Sequence, residues 1–567
     1  MTDTDTTAVV PDQREWWREA VVYQVYPRSF NDSDGDGVGD IPGVVERVDY
    51  FDDLGVDCVW LTPVYESPQA DFGYDIADYR AIDPEYGSMD DWDRLLEELH
   101  ARDIRFVMDL VLNHTSDEHV WFQRSRAGDG EYDDYYFWQP GAGGGGDEGD
   151  YPNNWESHFD TPAWTYDEER GEYYLHLFTP EQPDLNWENP RVREEVADVV
   201  SWWLERGIDG FRLDVINEIS KDPGLPDGDP DGELVGAEHH INGPRMHEYF
   251  DELAERGFGD DRDRAVTIGE CAMIDPETAQ DVTGRESSLL DMVITFDHTR
   301  LDGRDEYEYR EWELSELKTV MAEWQEAVEA GAWVALYHSN HDQPRAVSRF
   351  GDPDYRYESA TMLATWLHGH RGTPFVYQGE EIGMSNVRFE SPDDLVDPWA
   401  RNHWENARAA GRSFDEVRGE FERFSRDNAR TPMQWDSTTH AGFSEGEPWM
   451  PVADDYETVN VAADRARDRS IFEYYRDLIA LRGEDDVLVY GGFELLLEDH
   501  ESIYAFRRPH PDHDLLVVCN FSADTPTFEA PDGVVDDAEP VLANYTDPPA
   551  DPTRVELRPY EAFVYRT

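Results

Sequence analysis

The sequence predicts an α/β protein whose main body is a closed (β/α)8 barrel. Eight short runs rich in β-branched and aromatic residues recur along the chain, and most are followed by a turn signal and a longer amphipathic stretch. This alternation of strands and helices indicates a parallel sheet with right-handed crossovers, and eight such units are typical of a TIM barrel. Near the C-terminus the helical patterns stop and only short strand patterns follow one another, which predicts a separate antiparallel β domain.

The apolar runs define the predicted strands, and the patterns between them define helices. The strands are Val21–Tyr26, Val56–Thr62, Ile104–Leu110, Ile208–Val215, Val266–Gly269, Val293–Phe296, Val334–His338 and Phe375–Gln378. Helical patterns occupy several gaps, at Met89–Ala101, Val192–Arg206 and Ser359–His370. In such a barrel the chemistry lies at the C-terminal ends of the strands, so polar residues that end these runs are the candidate functional residues.

Two long gaps and one change of pattern predict the domain organisation. The gap at about 115–188 is too long for a simple connection, so we expect a subdomain inserted after the third strand. A second insertion, at about 385–448, follows the eighth strand. The predicted domains are a barrel at 1–114 and 189–482, the inserted subdomain at 115–188 and a C-terminal antiparallel β-sandwich at 483–567.

Local patterns define the elements at the domain borders. A helix predicted at Ile471–Arg482 ends the barrel, and alternating runs at Ser502–Arg507 and Leu515–Asn520 are typical of antiparallel strands. The glycine-rich segment 141–149 lacks the strand, helix and lysine of a phosphate-binding loop. We interpret it as a flexible loop of the inserted subdomain.

The chain is strongly acidic, with 47 Lys+Arg against 127 Asp+Glu among 567 residues and a formal net charge of −80. This charge argues against nucleic acid and anionic membrane surfaces as partners, because both attract basic proteins. Disorder is also excluded, since 13% of the residues are aromatic. Lysine occurs only at Lys221 and Lys318, and molar salt would screen the self-repulsion. We expect a halophilic protein; the alternative is an acidic mesophilic one.

Cysteine usage and the N-terminal residues predict a soluble, cytoplasmic protein. Cys58, Cys271 and Cys519 lie far apart within apolar runs, as reduced core thiols do. Residues 1–11 lack an apolar signal segment, and no run of about 18 apolar residues occurs. Cys271 adjoins a candidate catalytic glutamate, but without a paired histidine motif we interpret it as a core thiol. We expect a monomer or a small homo-oligomer.

Three carboxylates close separate predicted strands. Asp214 ends Gly-Phe-Arg-Leu-Asp, Glu270 ends Ile-Gly-Glu, and Asp342 ends Asn-His-Asp. The strand ends of a parallel barrel converge at one mouth, so these side chains should meet there, and paired carboxylates at such a mouth suggest glycoside hydrolysis. One aspartate alone could be a helix cap or a solvated loop charge, but three beside other polar residues are harder to explain in that way.

Eight motifs occur in order along nearly the whole chain. They are Val22-Tyr-Gln-Val-Tyr-Pro-Arg-Ser-Phe30, Asp71-Phe-Gly-Tyr-Asp75, Asp109-Leu-Val-Leu-Asn-His114, Gln182-Pro-Asp-Leu-Asn186, Gly210-Phe-Arg-Leu-Asp-Val-Ile-Asn217, Ile268-Gly-Glu270, Asn340-His-Asp-Gln-Pro-Arg345 and Ser425-Arg-Asp-Asn-Ala-Arg-Thr-Pro-Met-Gln-Trp435. Together they resemble the α-amylase superfamily, glycoside hydrolase family thirteen, and within it the oligo-1,6-glucosidase and α-glucosidase group.

The resemblance implies a retaining mechanism with one role for each carboxylate. Asp214 would be the nucleophile, Glu270 the acid/base, and Asp342 the residue that grips sugar hydroxyls and stabilises the transition state. Arg212 would hydrogen-bond Asp214 and keep it ionised, because a nearby cation lowers a carboxyl pKa. Burial and negative charge should raise the pKa of Glu270 so that it can hold a proton.

The resemblance also implies a sugar pocket closed at one end. The positions that carry over as sugar-binding residues are Asp71, Tyr74, His114, Phe159, Phe178, Gln182, Arg212, Val215, His341, Arg426 and Arg430. Asp71 and either Arg426 or Arg430 would close the pocket, and His114 and His341 would hydrogen-bond the sugar ring. Such a pocket accepts only a non-reducing end, so an exo-glucosidase acting on short oligosaccharides is expected rather than an endo-amylase.

Two positions give conflicting indications of linkage. In relatives a valine directly after the nucleophile favours α-1,6 bonds, and here that residue is Val215; Ala272, two after the acid/base, looks like maltose-cleaving relatives. One methyl group changes discrimination by only about 1–3 kcal/mol, so both linkages stay open.

Alternative functions remain open as well. They are a trehalose-6-phosphate hydrolase, a transglucosylase or sucrose-active enzyme, and a non-catalytic amylase-like binding protein. The scarcity of basic residues argues against a phosphate clamp, and the retained carboxylates and the lack of a membrane anchor argue against the binding protein.

The segment Asp32-Ser-Asp-Gly-Asp-Gly-Val-Gly-Asp40 predicts a cation site. Its alternating carboxylates suit calcium, and its glycines permit the turn. Position twelve of an EF-hand would be Gly43 instead of glutamate, so that interpretation fails. The segment resembles a structural calcium or magnesium site of the oligo-1,6-glucosidase group. The implied ligands are the side chains of Asp32, Asp34, Asp36 and Asp40 and the carbonyl of Val38; a solvated acidic loop is the alternative.

Overall fold

The computed structural model of the chain describes residues 14–142, 150–284, 289–303, 307, 309–535 and 538–567. The N-terminal segment 1–11 and most of the glycine-rich segment, 143–149, lie outside these residues. None of the described helices is long and apolar enough to cross a membrane.

Eight parallel strands form the centre of the molecule, one for each predicted apolar run. They are β1 (Val22–Val25), β2 (Cys58–Leu61), β3 (Arg105–Val111), β4 (Gly210–Asp214), β5 (Val266–Glu270), β6 (Met292–Ile294), β7 (Ala335–Leu336) and β8 (Thr373–Tyr377). Their spatial order is β6-β5-β4-β3-β2-β1-β8-β7, and a parallel bridge between Val293 and Val334 joins β6 to β7. The sheet closes on itself, which confirms the predicted barrel.

Strands β6 and β7 are shorter than their apolar runs predicted. After Leu336 the chain leaves the ladder, and Tyr337 Oη donates to Thr295 O at 2.6 Å. His338 Nε2 lies 2.9 Å from Leu363 O. The apolar pattern of the sequence could not show that the polar atoms of Tyr337 and His338 form hydrogen bonds outside the sheet.

Helices cover the outer face of the barrel. The longer ones are Ile41–Glu46, Val48–Leu54, Met89–His100, Pro190–Glu205, Met246–Leu253, Pro276–Thr283, Leu314–Ala330, Arg356–Gly369 and Ile471–Glu484. The helix predicted to begin at Val192 begins at Pro190 instead. Asn189 caps this helix through Arg191 N, and proline fits the first helical position, so the cap rather than the apolar pattern sets the boundary.

The segment between β3 and β4 carries a small sheet of its own. A helix at Val120–Arg126 precedes three antiparallel strands, in which Glu172–Leu175 pairs with Trp138–Gln139 and with Trp164–Asp167. A separate cluster of buried aromatic and aliphatic side chains supports this sheet. Phe178 packs against this cluster, which fixes one wall above the barrel mouth.

The segment after β8 is helical and has its own apolar core. Its helices are Pro398–Ala409, Phe414–Phe424 and the short Asp427–Arg430. Phe159, from the insertion after β3, is part of the same core, so the two insertions pack against each other beside the mouth.

The C-terminal residues form two antiparallel sheets. The larger one, in spatial order, contains Glu494–Leu496, Ile503–Arg508, Leu515–Asn520, Ala562–Arg566 and Glu539–Ala543. The smaller one pairs Thr527–Glu529 with Arg554–Glu556. Phe528 and Phe563 belong to one apolar cluster between the two sheets, their ring centroids 6.4 Å apart, and this confirms the predicted β-sandwich.

Candidate active site at the barrel mouth

A cavity of about 560 Å³ opens at the C-terminal ends of the barrel strands. Its wall combines loops that follow the strands with residues of both insertions. The predicted site residues that line it are Asp71, Tyr74, His114, Phe159, Phe178, Gln182, Asp214, Val215, Glu270, Asp342 and Arg426. These positions are far apart in sequence, so the closed barrel is what brings them together.

Asp214 and Glu270 are the last residues of neighbouring strands. Leu213 pairs with Gly269 across β4 and β5, and the two carboxylates follow directly after this pair. Neighbouring strands lie about 4.8 Å apart. Backbone pairing therefore places the two residues side by side at the barrel mouth.

One buried guanidinium group contacts three carboxylates at this point. Arg212 Nη1 donates to Asp214 Oδ1 at 2.6 Å and to Asp109 Oδ1 at 2.8 Å. Its Nη2 lies 2.6 Å from Glu270 Oε1, as a close ion pair rather than a linear hydrogen bond. Asp109 was not assigned a role from the sequence, because it lies within an apolar run and not at its end. Arg212 is fully buried and is not among the residues that line the cavity, and its predicted hydrogen bond to Asp214 is present.

The proton balance of this cluster differs from the prediction for Asp214. Burial raises the pKa of Asp214 more than Arg212 lowers it, and the negative charges of Glu270 and Asp109 add to the rise. Burial also raises the pKa of Glu270, as predicted, against the opposing effect of Arg212. Burial raises the pKa of Asp109 to about 6. Three buried carboxylates around one cation favour a bound proton, which a general acid needs.

Asp342 is ionised by a different set of neighbours. Its Oδ1 accepts from Arg430 Nη2 at 2.8 Å and from Arg426 Nη1 at 3.1 Å. Burial opposes the charged form, but His341, Arg426 and Arg430 outweigh it and lower the pKa of Asp342. Asp342 is therefore ionised, whereas Asp214 and Glu270 hold a proton between them.

His341 and Arg430, two of the predicted sugar-binding residues, are buried and are not among the residues that line the cavity. His341 is fully buried, with Nδ1 2.8 Å from Gln24 Nε2 and Nε2 2.6 Å from Tyr74 Oη. Arg430 Nε donates to the carbonyl of His341 at 3.1 Å. Both side chains therefore position the groups that face the cavity.

The inner end of the cavity is closed by Asp71 and Arg426. Arg426 Nη2 donates to Asp71 Oδ1 at 3.4 Å, and Gln182 Nε2 donates to Asp71 Oδ2 at 3.3 Å. Of the two arginines between which the sequence left the choice open, Arg426 lines the cavity and Arg430 does not.

Asp397 completes this corner and was missed from the sequence. It is fully buried, and its Oδ1 accepts from Arg426 Nε at 2.8 Å. Its other oxygen accepts from Ala400 N at 3.1 Å and caps the helix that begins at Pro398. The Asp-Pro pattern is typical of a helix cap, so the contact of Asp397 with Arg426 had no sequence signal.

Aromatic side chains form the side walls. Tyr74 stacks on His341 with ring centroids 5.3 Å apart, and its Oη also donates to Asp109 at 3.1 Å. Phe178 lies 4.9 Å from His114 and 5.9 Å from Phe159, measured between ring centroids. His114 Nε2 lies 3.1 Å from Gln182 Nε2, and burial lowers the pKa of His114 to about 4.

Val215 lines the cavity in a strained backbone conformation. Its φ of 35° and ψ of 42° are left-handed, which is unfavourable for a β-branched residue. Its N–H lies 3.3 Å from Glu270 Oε2 and donates to it. The strained turn after β4 therefore places this side chain beside both Asp214 and Glu270.

The acidic loop after β1 brings three of its four aspartates together. One carboxylate oxygen each of Asp32, Asp34 and Asp40 lies within 4.8 Å of the others, and this donor set fits a hard cation. Asp36 is outside this group, and its Oδ1 accepts from Val38 N at 2.8 Å instead. Gly37 has a φ of 99°, and a β-carbon there would lie 2.0 Å from the carbonyl oxygen of Glu447, so the turn requires glycine.

The barrel and its three carboxylates define the chain as a glycoside hydrolase, and comparison with known proteins identifies the family. The model of the alpha-amylase catalytic domain matches residues 24–491, so the chain belongs to the alpha-amylase family, as its motifs predicted. The oligo-1,6-glucosidase of Parageobacillus thermoglucosidasius is 49% identical over 98% of this chain and 99% of that protein.

Two solved structures are similar to this chain over nearly its whole length. A trehalose-6-phosphate hydrolase of Bacillus licheniformis is 43% identical, with a TM-score of 0.91 over 98% of this chain and 100% of that chain. The isomaltulose synthase of Klebsiella sp. LX3 is 37% identical, with a TM-score of 0.93 over 98% of this chain and 100% of that chain. The fold thus serves more than one reaction on glucosides among its relatives.

Proposed function

We propose that this chain is a retaining, exo-acting α-glucosidase that releases glucose from the non-reducing end of short α-1,4 or α-1,6 glucosides. The observation that carries the proposal is the closed inner end of the cavity, where Arg426 lies 3.4 Å from Asp71 and 3.1 Å from Asp342. A pocket closed next to the catalytic carboxylates accepts a chain end and excludes an internal sugar. The 49% identical oligo-1,6-glucosidase supports the same substrate class.

The reaction proceeds in two displacements. Asp214 and Glu270 share a proton in the buried cluster, and with that proton on Glu270 the Asp214 carboxylate is ionised. Asp214 then attacks the anomeric carbon while Glu270 gives its proton to the glycosidic oxygen, so the bond to the leaving sugar breaks and a β-glycosyl enzyme forms. Glu270, now ionised, takes a proton from water, whose oxygen attacks the same carbon and releases Asp214. Each displacement inverts the carbon, and the released glucose keeps the α configuration.

The position of the two carboxylates supports retention over inversion. A retaining pair is about 5–5.5 Å apart, whereas an inverting pair is about 6.5–9.5 Å apart to admit water. Asp214 and Glu270 end neighbouring, hydrogen-bonded strands, and both contact the terminal nitrogens of Arg212. Two carboxylates that share one guanidinium group at the ends of neighbouring strands lie close together, which favours the shorter separation of a retaining pair.

The outer wall of the cavity argues against trehalose-6-phosphate as the substrate. Asp160, Asp231 and Glu233 line this wall together with Arg300, whose guanidinium group is already paired with Glu233 at 3.4 Å, so carboxylates outnumber the cation. A phosphate group there would face carboxylates, and its binding would cost charge repulsion. The wall therefore favours a neutral leaving sugar, although relatives that hydrolyse trehalose-6-phosphate share the fold.

Transfer of glucose to another sugar is the second candidate function. It requires that an acceptor sugar compete with water for the glycosyl enzyme, and the isomaltulose synthase structure shows that this fold hosts such relatives. We place hydrolysis first because the curated relative at 49% identity is a glucosidase.

The experiment that tests the function follows nitrophenyl α-glucoside, maltose, isomaltose and trehalose-6-phosphate in high salt. We expect glucose release from the neutral substrates, with α-glucose appearing first by NMR, and loss of turnover in Asp214→Asn by a factor of about 10⁴ or more. Initial release of β-glucose would contradict retention. Turnover of trehalose-6-phosphate above the disaccharides would replace the substrate assignment.

We also propose a structural cation, calcium or magnesium, at Asp32, Asp34 and Asp40. The support is the donor geometry of three carboxylate oxygens that lie within 4.8 Å of one another. The bound cation would neutralise carboxylate repulsion within this loop, which packs against the segment around Ser444 through Asp32.

The proposed setting is a salt-rich, reducing cytoplasm. Both lysines are buried, at 2% and 1% exposure for Lys221 and Lys318, so arginine supplies the strong cationic charge on the described surface. Cys58, Cys271 and Cys519 are buried and free, as the prediction of reduced core thiols requires. These features support the halophilic, cytoplasmic assignment.

A further inference from the structure

His158 lies in the cavity wall but has no role in the two displacements. It belongs to the insertion after β3, and its backbone N–H donates to Leu177 O at 2.8 Å. Its ring stacks on Phe178, with centroids 4.9 Å apart and planes 17° apart. The ring is thus fixed on one face while the residue still lines the cavity.

A buried carboxylate anchors the far side of this imidazole. Glu218, four residues after Asp214, is fully buried, and its Oε1 lies 3.0 Å from His158 Nε2. A second imidazole faces the same carboxylate, because His240 Nδ1 lies 3.5 Å from Glu218 Oε2. Burial opposes the charge of Glu218, but the two histidines outweigh it and lower the pKa of this carboxyl.

The surrounding charges favour an imidazolium at His158. Burial lowers the pKa of this histidine, but Glu218 outweighs burial, so its pKa lies above the ordinary value. Arg300, on the turn after β6, opposes the charge, and Asp184, in the insertion, favours it. His240, beyond Glu218, has a pKa lowered mainly by burial, so it adds little competing positive charge.

The remaining ring nitrogen of His158 is free to bind a ligand. Within the part of the chain that the structure describes, Nδ1 has no hydrogen-bond partner and is not among the buried polar atoms without one. The side chain is 24% exposed, and this exposure is toward the cavity. With Nε2 held by Glu218, protonation decides whether Nδ1 donates or accepts.

We propose that His158, oriented by Glu218, is a specificity-determining residue that donates a charged hydrogen bond from Nδ1 to a hydroxyl of the leaving-group sugar. A sugar bound at the inner end of the pocket places its glycosidic oxygen at Glu270, so the leaving sugar occupies the rest of the cavity. His158 lines this cavity and lies near Arg300, which belongs to the outer wall beside Glu233. The proposal rests on the proposed glucosidase function and adds the recognition of the second sugar to it.

The first test compares His158→Phe with the wild type on two substrates. The His158→Phe variant loses the charge-assisted hydrogen bond to the leaving-group sugar. Its KM for isomaltose or maltose should therefore rise about tenfold or more, with a smaller change in kcat. The rise should be clearly smaller on nitrophenyl α-glucoside, whose leaving group offers no sugar hydroxyl. If KM rose equally on both substrates, or rose on neither, the proposal would be refuted, and the proposed glucosidase function would be unaffected.

The second test uses pH to separate a charged donor from a structural residue. His158 is charged below its pKa, so KM for the disaccharide should rise as pH increases through that value. Glu218→Gln removes the carboxylate that sustains the charge, so the same rise should occur at lower pH. A wild-type KM that stays constant from about pH 6 to pH 9 would contradict an ionising donor.

Two further variants guard against misfolding and unspecific effects. His158→Gln keeps a neutral hydrogen-bonding group and should recover part of the affinity lost in His158→Phe, but without the pH dependence. His403→Phe is the matched control, because His403 Nε2 lies 2.8 Å from a Glu420 oxygen, as His158 does from Glu218, but His403 does not line the cavity. If this control raised KM for the disaccharide as much as His158→Phe, the specific role of His158 would be refuted.

Discussion

Asp71 and Arg426 form an ion pair, 3.4 Å between Oδ1 and Nη2, although one follows β2 and the other lies in the helical segment after β8. Asp397 and Asp342 hold the same guanidinium group, so its position is fixed from three sides. The pair closes the cavity next to the catalytic carboxylates. The exo character of the enzyme therefore depends on contacts between segments that only the folded barrel brings together.

Arg426→Gln should weaken binding of the terminal glucose. Removal of the cation leaves Asp71, Asp342 and Asp397 without their shared partner, and charged hydrogen bonds of this kind are worth a factor of about 10–100. We expect kcat/KM for isomaltose to fall and the inhibition constant of free glucose to rise by that factor. Arg401→Gln, in the same helical segment, is the control. Unchanged glucose inhibition in Arg426→Gln would contradict the closed-pocket assignment.

Asp109→Asn should move the alkaline limb of the pH profile. Asp109 shares Arg212 with Asp214 and Glu270, and its negative charge helps to raise the pKa of Asp214. Without that charge the cluster loses its proton at lower pH, so kcat/KM for nitrophenyl α-glucoside should decline at lower pH than in the wild type.

The control for this shift is Asp209→Asn. Asp209 is a buried carboxylate that contacts His100 and Arg105 outside the cavity. An alkaline limb that moves in both variants, or moves upward in Asp109→Asn, would show that the proton is not shared in the way the geometry indicates.

Val215→Thr should shift the preference from isomaltose toward maltose. The side chain lies beside Glu270 on the turn that also carries Asp214, and the hydroxyl changes contacts to the leaving sugar without changing the branched shape. We expect the ratio of maltose to isomaltose initial rates to rise about tenfold, within the range that one small group can supply. A ratio that stays constant would remove Val215 as a linkage determinant and direct attention to Ala272, which lines the same cavity.

The sequence was sufficient where a functional residue ends an apolar run. Asp214 and Glu270 are the final residues of β4 and β5, so the strand prediction located them together with the barrel. Asp397 has the local appearance of a helix cap, and Asp109 lies within a strand, so neither had a sequence signal for its contact. Distinguishing Arg426 from Arg430 required side-chain packing.

The pKa of Asp214 shows a different limit of the sequence. The pattern Arg-Leu-Asp predicts that Arg212 keeps the carboxylate ionised, and the hydrogen bond is present. The sequence could not supply the burial and the two extra carboxylates that reverse the balance. The sign of such a shift depends on every charge around the group, and tertiary structure determines those charges.

Chelation should lower the thermal stability of the enzyme through the loop after β1. A cation bound only to the folded state stabilises it, so removing it with EDTA should reduce the melting temperature by a few degrees (~2–4 °C), with loss of about one equivalent of metal. Asp34→Asn should reproduce both effects, whereas Asp36→Asn should retain the metal, because Asp36 is outside the carboxylate group. Equal metal content in the two variants would contradict the site.

Potassium chloride should stabilise the fold progressively. The charge of −80 produces self-repulsion that acts over about 10 Å at 0.1 M salt and only about 3 Å at 1 M. Asp and Glu number 127 against 47 Lys and Arg, so most carboxylates have no cationic partner and salt must screen their repulsion. We expect the melting temperature to rise from about 0.1 M to several molar potassium chloride. Sucrose at equal osmolality should give a smaller rise, since it excludes volume without screening charge. Greatest stability in dilute buffer would refute the halophilic assignment and leave the acidic surface without an electrostatic explanation.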